Sequence, residues 1–94
     1  MAIYAISYDL KKPGQNYDDL YEELKSFGGY WHYLDSIWLV STDLSADQMS
    51  ERMKIHTDAN DFFLIIRVVA DYQGWLPKEA WDWIHQNINE KAYA

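Results

Sequence analysis

Residues 2–14 read AIYAISYDLKKPG, and their reading decides how the rest of the chain is organised. Period-2 alternation puts Ile3, Ala5 and Ser7 on one side of a strand and Tyr4, Ile6 and Tyr8 on the other. Both sides are mostly apolar, which is the pattern of a central strand covered on two faces. The run ends on a carboxylate, Asp9, and the KKPGQ stretch that follows is a turn.

Beyond the turn, Asn16 is the expected N-cap of a helix, with Asp18 and Asp19 favourably placed in its first turn. Tyr17, Leu20, Tyr21, Leu24 and Phe27 make an apolar stripe at helical spacing, and Gly28-Gly29 supplies the stop. YWHYLDSIWLVST, residues 30–42, is aromatic and β-branched, with LDS reading as a tight turn or bulge between two short strands. In DLSADQMSERMKI, Ser45 and Gln48 fit a capping box and Leu44 with Met49 fits the hydrophobic staple. TDAND then turns, FFLIIRVVA (62–70) is the strongest strand pattern in the chain, and Pro77 is placed to open a last helix at its first position. That helix, about residues 77–90, should turn Trp81, Ile84 and Ile88 inward.

The order is β-α-β-β-α-β followed by a helix. This is an α+β chain of the ferredoxin-like βαββαβ class, an antiparallel four-stranded sheet with helices on one face. Residues 1–94 form a single domain with its core in 2–70. The second sheet face is left for the C-terminal helix or for a partner.

Composition narrows the function classes. The chain is 49% hydrophobic and 17% aromatic, with five Trp and eight Tyr, more rings than a core of this size needs. Surplus Tyr and Trp favour interfaces, so a homodimer is expected. The formal charge of −7 disfavours phosphate backbones unless the cations gather in one place. With no cysteine there are no disulfides or thiolate metal sites. The opening MAIYAISYDL resembles no leader and no run is long enough to span a bilayer, so a cytoplasmic protein without a membrane partner is expected. With only four Gly there is no phosphate-cradling loop, and nothing suggests nucleophilic catalysis.

YDLKKPGQNY (8–17) and WHYLDSIW (31–38), with NDFFLIIRV (60–68) as the last core strand, resemble the small CRISPR-associated endonucleases that partner the spacer-acquisition integrase. They look still more like the SinR-like relatives of those proteins, and the virulence-associated D toxins are more distant relatives of the same fold. The resemblance implies a homodimer in which the aspartate ending the first strand, here Asp9, meets its two-fold mate and binds a divalent metal, Mg²⁺ or Mn²⁺. Facing carboxylates suit such a hard, oxygen-preferring cation. Ser36 matches the family serine after the second strand, a contact for phosphate or water. Asp9 and Ser36 are therefore the catalytic candidates, with Asp9 the metal ligand, for a metal-dependent nuclease or phosphodiesterase.

Each candidate also has a plainer reading. Asp9 can accept backbone N–H bonds at a strand end, and Lys11 and Lys12 can be ordinary solvated loop residues. His32, between Trp31 and Tyr33, is either a general base or a histidine packed among aromatics; alternation puts it on one face with Leu34. His56 and His85 have no ligand-spaced partner. The aromatic group could stack bases, but without a basic groove it reads as core and interface. Two departures from the relatives, the acidic charge and a terminal helix in place of a further strand, support an alternative: a non-catalytic acidic interaction protein of the same fold that binds a protein or a small ligand, as an adaptor or inhibitor of a nucleic-acid-processing or defence complex.

Overall fold

The computed structural model describes residues 1–10 and 17–88. Asn16, Lys11 and Lys12 lie outside the described residues. The elements run β1 (Ala2–Asp9), α1 (Asp18–Ser26), β2 (Gly29–Leu34), β3 (Ile37–Thr42), α2 (Ala46–Lys54), β4 (Phe62–Arg67) and α3 (Lys78–Asn87). The strands form one sheet in the order β2-β3-β1-β4, and each neighbouring pair is antiparallel. The architecture is α+β, ferredoxin-like, with a helix added at the C-terminal end.

β1 is central, as its two-sided pattern requires. Its Ile6 pairs with Trp38 on one side and Ile65 on the other, and all three belong to the near face, beneath α1 and α2. Ile6, Leu20, Leu24, Val40, Met49 and Met53 are fully buried there, each worth roughly 1.5–3 kcal/mol of transfer free energy. Ile3 points the opposite way and is also fully buried, against the far face, where α3 contributes Ala80 and Ile84. The short C-terminal helix therefore covers part of the second sheet face.

α2 starts as its sequence requires: Ser45 Oγ accepts from the Gln48 amide at 3.1 Å, and Gln48 Oε1 accepts from the Ser45 amide at 2.9 Å. α1 begins without a side-chain cap at Tyr17, whose hydroxyl instead donates to Asp61 Oδ1 at 2.9 Å, tying the helix start to the turn before β4. Pro77 occupies the cap position of α3 rather than its first helical one, and the helix ends at Asn87. Ala80 and Ile84 form its buried stripe, while Trp81 and Ile88 are half-buried. β4 stops at Arg67, three residues short of the apolar run, and lies at a sheet edge.

One strand departs from simple alternation. Trp31 pairs with Leu39, yet Leu34 pairs with Ile37, so β2 carries one extra residue between them. The bulge puts Leu34 on the face of Trp31, not on the face of His32 as unbroken alternation expects. Trp31 itself is buried, with its ring 5.1 Å from Tyr33, and its indole N–H has no acceptor among the described residues.

Gly28 closes α1 under a steric constraint. A Cβ there would collide with the backbone carbonyl oxygen of Ser41, and neighbouring Thr42 donates its hydroxyl to Phe27 O at 2.6 Å. Backbone cannot yield as a side-chain tip can. Gly28→Ala should destabilise the fold by about 2 kcal/mol or more, read as a lower denaturant midpoint with an unchanged m-value. Gly74→Ala, where a Cβ meets nothing within 4 Å, should leave the midpoint nearly unmoved.

Candidate functional site

The end of β1 and the β2–β3 turn come together at one end of the sheet. The Tyr8 amide donates to Ser36 O at 3.2 Å, fixing the turn beside the strand end. Side chains reinforce the joint. The Tyr8 hydroxyl donates to Asp35 O at 3.1 Å and accepts from Trp38 Nε1 at 3.2 Å. His32 Nε2 lies 3.0 Å from the same Asp35 oxygen. A carbonyl only accepts, so this bond requires the proton on Nε2 and leaves Nδ1 as the open lone pair of a neutral ring.

Asp9 is exposed and pairs with Phe62. Counting by twos from Ile3 puts it on the far face, with Ser7. Ser36 is exposed in the turn, next to the strand residue that precedes Asp9. The two sequence candidates are thus brought to the same end of the sheet. His32 joins them there, but its ring stacks on Trp38 at 4.1 Å and 14°, the packed role among aromatics. His56 is drawn elsewhere, to Glu23 Oε1 at 3.3 Å, where it links the end of α2 to α1. His85 stacks on Trp81 along α3.

A divalent metal needs more oxygen donors than Asp9 alone provides. Among the described residues no group of three or more His, Asp or Glu is placed to hold one. The described residues of one chain supply no such group at Asp9, and in the expected dimer a second copy would bring its own Asp9.

The sequence did not reveal what surrounds Asp9. Its cross-strand partner Phe62 and the next outward residues, Leu64 and Ile66, are 64%, 58% and 55% exposed. Their near-face neighbours Phe63 and Ile65 pack on the core. β4 is thus an edge strand with an uncovered apolar far face, and an all-apolar run carries no sign of which of its sides is left bare. No helix among the described residues is long and apolar enough to cross a membrane.

No family model, no curated protein and no solved structure matches the chain. The reading of the site therefore rests on its geometry and on the quoted sequence motifs.

Burial raises the pKa of the Tyr8 hydroxyl above its ordinary value of 10.0, against the opposing hydrogen bond from Trp38. The neutral phenol is favoured in the fold, so its contribution to stability is intact below pH 10 and falls as pH rises through the folded-state value. Tyr8→Phe should cost about 1–2 kcal/mol at neutral pH by leaving the Trp38 indole N–H unpaired. The gap between wild type and variant should narrow above pH 10, as urea melts at pH 7 and in that range would show.

Proposed function

We propose that the protein works as a homodimer joined through the uncovered half of its far sheet face. In this reading it is a relative of the small CRISPR-associated endonucleases, acting on phosphodiesters with the help of a divalent cation held between two Asp9 carboxylates. The observation that carries the reading is the position of Asp9. It is exposed on the same face as Phe62, Leu64 and Ile66, so a partner docked on that apolar strip would bring its own Asp9 to the same region. A bound divalent cation would polarise a phosphoryl oxygen or lower the pKa of a water. Ser36, at the same end of the sheet, would offer a hydroxyl to phosphate or water. The apolar strip supplies the association energy and the carboxylates would make association sensitive to cations.

A second reading has its own support. The formal charge of −7 makes a poor surface for nucleic acid, while acidic residues around an aromatic-rich fold suit a basic protein partner. On this reading the same dimer is a non-catalytic interaction protein, and the resemblance records ancestry rather than activity.

Light scattering coupled to size exclusion should find a dimer. Leu64→Asp, which puts a charge into the apolar strip, should weaken association by roughly 2 kcal/mol or more, about thirtyfold in dissociation constant. Mn²⁺ should tighten the wild-type dimer, because facing carboxylates repel without a cation, and Asp9→Asn should remove that response. Mg²⁺-dependent cleavage of single- or double-stranded substrates that disappears in a folded Asp9→Asn dimer would support the nuclease reading. A metal-insensitive, inactive wild-type dimer would leave the interaction reading.

A further inference from the structure

α3 does not seal against the sheet. Between them lies a cavity of about 170 Å³, floored by Ile3 and Leu39 and walled on the helix side by Trp81 and Ile84. Its remaining wall is the strap of residues 68–77, which connects β4 to α3 without regular structure and contributes Tyr72 and Leu76. The lining has no charged residue. Native interiors leave few spaces of this size, and apolar side chains that face one forfeit dispersion contacts on that side.

The strap is weakly tied. The Val68 amide donates to Ile3 O at 2.8 Å, and the next backbone hydrogen bonds are those to Pro77 O at the start of α3. Among the described residues, no backbone hydrogen bond joins 69–76 to the sheet, so past Val68 the sheet's backbone does not hold this wall. Segments of that kind open at low free-energy cost. An apolar cavity behind such a wall has both the space for a ligand and a route in.

We infer that this cavity is a binding site for a small, uncharged aromatic molecule, between benzene and indole in size, admitted by movement of the 68–77 strap. The chemistry of the lining sets the class. At interior packing density the volume holds on the order of nine or ten non-hydrogen atoms, too few for a long acyl chain. Apolar cavities of about 150 Å³ stay dry and take up benzene. Gln73 is the one amide side chain in the lining and no residue there carries a charge, so an ionised ligand would lose hydration without meeting an opposite charge. Tyr72 and Trp81, whose rings lie 6.3 Å apart at 22°, offer aromatic surface to a planar guest. The site is independent of the dimer reading, because it lies under α3 while the bare strip lies on β4.

The test is a thermal titration of the intact chain with indole, with indole-3-acetate and decanoate as the charged and long-chain controls. Indole should raise Tm by roughly 2–3 °C when its concentration equals its dissociation constant, and the controls should not. Leu39→Phe, which fills the floor, should fold and lose the response. Soaking crystals of the wild-type protein with iodobenzene gives a second readout that depends on no variant: iodine density against Ile3, Leu39 and Trp81 is the expected result. No Tm shift with indole, an equal shift in folded Leu39→Phe, or iodine bound only elsewhere would each overturn the assignment.

Discussion

The structure depends on β1 being buried from both sides. Ile6 and Ile3 are three residues apart, so period-2 geometry sends them to opposite faces, and both are fully buried. One strand therefore demands a layer above the sheet and a layer below it. The near layer is complete, with α1 and α2 supplying Leu20, Leu24, Met49 and Met53 to the core around Ile6 and Trp38. The far layer is a single ten-residue helix over Ile3. At the other end of the same strand Ser7 and Asp9, on the far face, are exposed. The carboxylate stands where burial runs out.

The aromatic surplus is spent at this open end and on the far face. Tyr8, Tyr21, Tyr30, His32 and Trp38 form a connected group of rings across β1, α1, β2 and β3. Two of its members also hold the β2–β3 turn, since the Tyr8 hydroxyl and His32 Nε2 both donate to Asp35 O. The position of Ser36 beside the end of β1 thus rests on ring packing around buried Trp38 as well as on the backbone ladder. Such a joint is stiff, which suits a site that must present side chains in fixed positions, whether to a phosphate or to a protein partner.

Where local rules act, the sequence was legible almost to the residue. The Ser45–Gln48 capping box, the Gly28-Gly29 stop and the Asp35-Ser36 turn all depend on neighbours within a few positions. The order of elements followed from them, and with it the ferredoxin-like sheet. The misses are tertiary. An extra residue in β2 reverses the expected face of Leu34, because a bulge is set by what both strands must pack against and not by the strand that carries it. β4 reads as the strongest strand, but Phe62, Leu64 and Ile66 are as apolar as Phe63 and Ile65, so the sequence carries no sign that the first three are bare. For the site, the sequence motifs singled out Asp9 and Ser36, while the Tyr8–Asp35–His32 joint that brings them together spans contacts too distant in sequence to be read from spacing.

The bare strip and the cavity have one geometric cause. Four strands spaced about 4.8 Å apart make a face roughly 19 Å wide, whereas one helix with its side chains covers about 10 Å of it. α3 packs on the side of β2, so the width it cannot reach is the β4 side. The strap from Arg67 to Lys78 must cross back over the sheet to place α3 there, and among the described residues it leaves the ladder after Val68. A segment that spans a gap outside the ladder seldom fills it, which leaves space beneath Tyr72 and Leu76. Among the described residues the near face of the sheet is covered and the far face only in part, which leaves two surfaces there: an apolar edge on β4 and a seam beside α3.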